Sequence, residues 1–581
     1  MCDRYWWDNM KRNLTELTNN YYDLLIIGGG IYGACLAWEA TLGGLSVALV
    51  EKADFGAATS ANSLKTIHGG LRYLQHADLK RMRESIHERT TLMRIAPHLV
   101  HPLPVLIPTY GHGMKGKEAL SVALTLNDII SCDRNRLQDP QKHIPNGCIV
   151  SKRECQQMLP GIPNQELTGG AIFYDAQVYN SERLTLSFLH SAEQAGATLA
   201  NYVEVTGFLQ ENNRVTGVEV KDVLAKNQFN IGAKTVVNTS GPWINRILGL
   251  LKGQQQPSIP FAKAMNLVTR RPLFEKHAVG ISSHSEAQDS GGTNKGSRFF
   301  FIAPWRGKSM IGTSYAVCDE NPDDFQVTEA DIQGFLHEIN QAYPSANLKR
   351  EDIATVHSGL LPSSGIDHNT GEPALAKHYH IHEHSKEGLQ GLISVTGVKY
   401  TTARDVAEKV VDRILKLRGE SRQSLSSLTP VYGGQIEAFE TFLHAAINNP
   451  PEGLGKEVMR RLVYNYGSAY PEVLRYLDQH STSSILQAEV LHAVRKEMAQ
   501  KLSDVVFRRT ELASAGHPGN EVLRTCAEIM SAELGWSRSK TEAELQDTNN
   551  ILAYKHAFGE ERNNGLKLVD VAVYSKNTEA K

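Results

Sequence analysis

Two apolar runs near the N-terminus, Leu24–Ile27 and Leu45–Val50, are short and nearly continuous, which suits strands buried on both faces of a parallel sheet. The glycine-rich stretch between them parses as a turn and a helix, so this region predicts strand, turn, helix, strand. Farther on, "ANYVEVTGFLQENNRVTGVEV" alternates apolar and polar positions about "ENNR", the pattern of an antiparallel hairpin. Within 258–350, "SRFFFIAPW" and "SMIGTSYAV" predict further strands of a sheet. "HADLKRMRESIHERTTLMRIAPHLV" predicts a helix capped by Asp78, with Leu79, Met82, Ile86 and Met93 on one face and its arginines and lysine on a solvated one. From about 425 the pattern turns helical, as in "ILQAEVLHAVRKEMAQKLSDVVF", and the last twenty residues form a polar tail. No internal repeat is visible.

A chain of 581 residues is too long for one core, so two or three domains are expected. Net charge is -2, which points to neither nucleic acid nor a basic membrane coat. Seven cysteines without a C-x-x-C pair suit a reducing compartment, and no metal site is expected. The longest apolar segment, Leu24–Val50, contains Glu39 and six glycines, a poor membrane helix.

Gly28, Gly30 and Gly33 give that segment G-x-G-x-x-G spacing between strand and helix. The first glycine allows the tight turn, the second lets a pyrophosphate approach, and the third packs helix on strand. The helix N-terminus offers free N–H groups and a positive dipole end. Glu51 closes the second strand, where a ribose hydroxyl would be bound. Acid at this position argues against NADP but leaves NAD and FAD open. The bland alternative is a glycine-rich turn that binds nothing. The next stretch, "DFGAATSANSLKTIHGGLRYLQ", has neither helical nor strand periodicity and is dense in hydroxyls and donors, suggesting a long cofactor running across the sheet.

"ATSANSLKTIHGGLRYL" resembles the flavin-contacting loop of the FAD-dependent, membrane-associated glycerol-3-phosphate dehydrogenases and the related glycerophosphate oxidases. "NTSGPW", "FIAPWRGKSMIGTS", "SVTGVKYTTARDVAE" and "LSDVVFRRTEL" are similar to further motifs of that family in the same order. The resemblance implies an α/β fold. A discontinuous Rossmann-like FAD-binding domain (20–105, 150–255, 350–420) would join an antiparallel-sheet, D-amino-acid-oxidase-like substrate domain (106–149, 256–349) and a helical C-terminal domain (425–560), with 561–581 as the tail.

The resemblance also implies site residues. FAD would be held by Gly28, Gly30, Gly33, Glu51, Lys52, Thr59, Ser60, Ser63, Lys65, Gly69, Gly70, Leu71, Val203, Gly241, Gly397, Lys399, Tyr400 and Thr401. Gly69-Gly70 would let backbone approach the flat ring. Flavin oxidation of a secondary alcohol needs a base, a positioned carbinol and a grip on the anionic end. His68 is the first candidate for the proton, with Lys399 and Arg404 as further catalytic candidates. The substrate-binding set is Lys65, Tyr73, Lys377 and Lys399. The competing reading of Arg404 is a salt bridge tying helix to sheet.

The chain departs from the family pattern in four places. Leu361 in "SGLLPSS" and Lys377 in "ALAKHY" stand where arginines are usual, Leu64 where serine is, and Val398 where glycine is. A lost charged hydrogen bond is worth about 1.5–3 kcal/mol. The expected activity is oxidation of sn-glycerol 3-phosphate to dihydroxyacetone phosphate with quinone as acceptor. The alternatives are another polyol, hydroxy acid or phosphate ester, oxygen as acceptor, or a flavin-binding partner without turnover. Peripheral contact with the cytoplasmic face of a membrane is expected through Met114–Cys132 or the start "YWWDNMKRNL". A homodimer is compatible with the sequence.

Overall fold

The computed structural model describes residues 10–113, 116–251, 258–282, 299–367, 373–477, 485–514 and 516–556. Residues 5–9 of the start "YWWDNMKRNL" and all of the tail 561–581 lie outside these residues.

Two sheets carry the molecule. The first has eight strands. Its parallel core runs Leu392–Thr396, Gln228–Asn238, Tyr21–Ile27, Val47–Val50, Thr198–Ala200. His380–Glu383 adds an antiparallel edge on Leu392–Thr396. Both faces are covered, which is why these strands are continuous apolar runs: Leu24, Leu25, Ile26, Val47, Ala48 and Leu49 are fully buried. Helices Ile31–Leu42, Ser181–Gln194 and Ala403–Leu417 pack on one face. The other face is closed by the hairpin Val203–Glu211/Arg214–Asp222. The hairpin turns at Asn212 and Asn213, both at positive φ (47° and 61°), within the segment "ENNR". Asparagine tolerates that left-handed geometry, and the twist matches the strands.

The second sheet has ten strands. Phe299–Trp305 and Lys308–Cys318 lie at its centre, and helix Glu329–Ala342 covers it with Ile332, Phe335, Leu336 and Ile339. Its membership moves the expected domain boundary. Thr66–Ile67, Val100–Tyr110, Leu167–Val178 and Ile353–Ile366 lie in this sheet, although the sequence assigned most of them to the flavin domain. The chain crosses between the sheets inside segments whose composition does not change.

Helix Leu79–Ile95 begins at Asp78, whose carboxylate accepts from the Arg81 N–H at 3.0 Å. Met82, Ile86 and Met93 are buried as expected, whereas Leu79 is exposed. Its charged side is not simply solvated, because Glu88 and Arg89 are buried. Beyond residue 424 the chain is mainly helical and has its own apolar clusters. Ion pairs and a hydrogen bond dock this region: Arg508 and Arg509 both grip Asp54, Arg183 pairs with Glu497 at 2.6 Å, and Asp504 accepts from the Tyr202 hydroxyl at 2.6 Å.

Candidate active site

The phosphate turn has the steric form its glycines imply. Gly28 has φ +104°, and a Cβ there would come within 2.8 Å of the Thr239 carbonyl oxygen. A Cβ on Gly33 would lie 1.9 Å from the Gly28 oxygen, so helix and strand meet only without it. Gly30 is the N-cap of helix Ile31–Leu42, and the first helical N–H donates to Ser60 Oγ at 3.0 Å. Glu51 accepts from Gly29 N at 2.8 Å and Ala53 N at 2.9 Å. Burial outweighs those bonds and raises its pKa. The Val203 N–H donates to the Glu51 carbonyl at 2.8 Å, bringing the hairpin to the same end. Thr59 lies against Gly359 and donates to the Leu360 carbonyl at 3.2 Å. Gly241 has φ +55° and open space where a Cβ would be. These features fit a dinucleotide: an N-terminal helix end, a side-chain-free turn and an acid at the ribose position.

At the other end of the loop, Thr66–Ile67 pairs with Gln177 and Ala176. That register carries His68 to Asp175, whose Oδ2 lies 2.9 Å from Nδ1. With Nδ1–H donating, Nε2 keeps its lone pair. Asp175 Oδ1 accepts from Gly69 N at 2.7 Å and lies 3.8 Å from the Arg89 guanidinium. Burial pushes the Asp175 carboxyl up, but His68, Arg89 and the Gly69 N–H together hold it below the usual value. The His68 ring packs against Phe301 at 5.6 Å. Gly69 is glycine for a reason not expected: a Cβ there would sit 2.1 Å from the Arg89 guanidinium. Gly70, at φ +86°, opens the short helix Leu71–His76.

The return strand closes the site from above. Thr401 Oγ1 accepts from His68 N at 3.3 Å. A Cβ on Gly397 would meet the Tyr32 ring at 2.0 Å, and the Tyr32 hydroxyl donates to the Lys399 carbonyl at 2.8 Å. The Lys399 amine lies 4.0 Å over the Tyr73 ring, and Arg81 lies 4.8 Å from that ring's centre. Burial lowers the Lys399 pKa to about 8. A shallow crevice opens here, lined among others by Arg81, Lys377, Val398 and Lys399. Lys377 is exposed, and its carbonyl accepts from Arg81 at 2.8 Å.

A family model described as "FAD dependent oxidoreductase" matches residues 23–399, and one described as "C-terminal domain of alpha-glycerophosphate oxidase" matches 424–541. A glycerol-3-phosphate dehydrogenase of Synechocystis is 31% identical over 558 residues, covering 92% of this chain and 97% of its own. The chain belongs to the FAD-dependent glycerol-3-phosphate dehydrogenase family. An aerobic glycerol-3-phosphate dehydrogenase of Staphylococcus haemolyticus is 29% identical, covering 86% of this chain and 88% of its own. The solved glycerol-3-phosphate dehydrogenase of Bacillus halodurans, complexed with FAD, has the same fold, with a TM-score of 0.72 over 94% of this chain and 98% of that one at 24% identity. FAD is the cofactor of this flavoenzyme.

Several residues that the sequence pointed to are used otherwise. Lys65 is buried, with Nζ 2.7 Å from both Glu182 and Ser181, so its side chain serves an internal ion pair rather than substrate. Arg404 is likewise removed from catalysis: it binds buried Glu88 at 2.5 Å and Glu408 at 2.7 Å. Lys52 pairs with Asp323 at 2.5 Å over the Trp243 ring. The Tyr400 hydroxyl donates to the Ser181 carbonyl at 2.9 Å. Ser63 accepts from Lys65 N at 3.3 Å, and Leu71 packs beside the strand cluster of Leu103 and Phe173. Leu64 joins Val268, Trp305 and Met310, so it fills an apolar cluster of the second sheet. Asp175, Arg89, Tyr32 and Arg81 were missed. Of these only Asp175 left a trace, an acid inside the apolar run "AIFYDAQV".

Proposed function

We propose that the chain oxidises the secondary alcohol of sn-glycerol 3-phosphate to dihydroxyacetone phosphate and passes the electrons to a membrane quinone. The observation carrying this reading is the His68–Asp175 pair, 2.9 Å apart, tied through His68 N–H to Thr401 of the return segment, whose Val398, Lys399 and Thr402 line a crevice with Arg81 and Lys377. The names of the relatives support the substrate.

His68 Nε2 takes the hydroxyl proton, and Asp175 holds the ring in the required tautomer and stabilises the imidazolium. Lys399 and Arg81 hold the phosphate, the guanidinium replacing fork-shaped donors lost where Leu361 and Lys377 stand. Bound FAD supplies the two-electron acceptor. Val398 narrows the crevice, since it is one of its walls.

Helix Lys117–Ile130 supports the membrane-facing part of the proposal. Val122, Leu126 and Ile129 lie on one stripe and are 61%, 46% and 64% exposed. Among the described residues, no helix is long and apolar enough to cross a membrane.

Anaerobic titration of the purified flavoprotein with sn-glycerol 3-phosphate, with glycerol as control, tests the reaction. Bleaching of the flavin by the phosphate ester alone is the expected result. A spectrum that stays oxidised, yet bleaches with dithionite, transfers the site to another anionic alcohol. Leu361 favours that second reading. Peroxide release in air would replace quinone by oxygen.

A further inference from the structure

The antiparallel edge of the flavin sheet carries a cluster that the oxidation does not use. Strand His380–Glu383 pairs with Leu392–Thr396, placing His382 opposite Ser394. The chain then makes a 3-10 turn, His384–Glu387, closed by Gly388 in the left-handed region at φ +88°. In such a turn residues three apart eclipse, so His384 and Glu387 share a side. Ligand atoms of His382, His384 and Glu387 all lie within 4.8 Å of one another.

We propose that His382, His384 and Glu387 bind one divalent cation of the class that prefers imidazole nitrogen, with Zn²⁺ the leading member. The strongest indication is His384. Its side chain is fully buried, and its Nδ1 has no hydrogen-bond partner. The nearest carboxylate oxygen, Glu387 Oε2, is 3.6 Å away, beyond hydrogen-bond reach. A buried imidazole nitrogen left unpaired is costly unless something occupies it. The other nitrogen, Nε2, lies 2.9 Å from Ser394 Oγ. An ion on Nδ1 requires the tautomer in which Nε2–H donates to that hydroxyl, the outer-shell arrangement seen around metal-bound histidines. His382 Nε2 lies 2.9 Å from Glu387 Oε1.

The spacing is compatible with a small tetrahedral ion. Donors on such an ion, with bonds of about 2.0–2.1 Å, stand about 3.4 Å apart. The two separations, His382 Nε2 to Glu387 Oε1 at 2.9 Å and His384 Nδ1 to Glu387 Oε2 at 3.6 Å, lie on either side of that value, one imidazole facing each carboxylate oxygen. Two imidazoles and one carboxylate select Zn²⁺, Cu²⁺ or Ni²⁺ over Ca²⁺ or Mg²⁺. His382 and Glu387 are each 44% exposed, so the ion can enter from solvent and keep an outward ligand position for water. Occupancy ties the edge strand to its turn. Because Lys377–Tyr379, immediately before that strand, line the crevice beside Lys399, the ion also stiffens one wall of the active site.

The test uses tag-free holoenzyme, dialysed against chelator and titrated with ZnCl₂ by calorimetry, with Co²⁺ absorption as a spectroscopic check. One ion per chain with a dissociation constant at or below about 1 μM is expected. His382→Ala and Glu387→Gln, both at half-exposed positions, should each weaken binding at least tenfold with FAD content unchanged. Ser394→Ala should weaken it by about 10–100-fold. Zn²⁺ should also slow amide exchange across 380–388 in the wild-type protein alone. No stoichiometric binding, or binding of equal strength in the His382 and Glu387 variants, overturns the proposal.

Discussion

His68 and Asp175 carry the clearest consequence at the scale of single residues. Positioned proton transfer contributes about 10²–10⁴-fold, so His68→Gln should slow anaerobic flavin reduction by that factor while FAD stays bound. Asp175→Asn should do nearly as much, since the single amide oxygen is taken by the Gly69 N–H and an NH2 donor then faces Nδ1; stopped-flow absorbance measures both. Lys399 has a pH signature. Burial lowers its pKa to about 8, so the ammonium is present below that pH and lost above it. An anionic substrate needs the ammonium, so kcat/KM should fall as pH rises through about 8 in the wild type, and Lys399→Arg should abolish that fall. Residues whose role is steric and local were legible in the chain: Gly28 and Gly33 are required by atoms within the same motif or beside it. Lys65 and Asp175 were not. Lys65 looked like a cofactor ligand, yet its partner Glu182 lies 117 positions away, and Asp175 gains meaning only when Thr66–Ile67 pairs beside it.

At the scale of elements, helix Leu79–Ile95 shows where pattern reading stops. Its apolar face and Asp78 cap follow from periodicity, but charge alone does not distinguish a solvated arginine from a buried one. Glu88 is buried against Arg404, and Arg89 against Asp175. Burial raises the Glu88 pKa, and the Arg404 charge more than reverses this, leaving it below 4.5. The pair therefore stabilises the fold above pH 4.5, and that contribution is lost as acid protonates Glu88. Arg404→Met, which leaves a buried carboxylate alone, should cost about 3–5 kcal/mol in denaturant unfolding. Helix Lys117–Ile130 makes the opposite case, since its outward apolar stripe was visible in sequence. The proposed membrane contact predicts that Val122→Glu with Ile129→Glu shifts the enzyme from the membrane pellet to the supernatant without changing turnover of a soluble dye, as sedimentation followed by assay would show.

Across the whole molecule, the cofactor domain is stitched from distant pieces. Its sheet needs Leu392–Thr396, and the loop after Glu51 is held by Arg508 and Arg509 through Asp54. The general architecture was legible because strand, hairpin and helix periods differ. The boundary between the sheets was not, because the chain changes sheets in mid-segment. The late clamp on Asp54 has a consequence for biogenesis. A polypeptide emerges from the ribosome N-terminus first, so the phosphate turn is made well before its restraint, which lies 454 positions downstream. Nascent chains stalled short of Arg508 should release flavin on gel filtration, and those with Arg509 clear of the exit tunnel should retain it. Flavin retention in this protein thus depends on a contact supplied 454 positions after the loop it restrains.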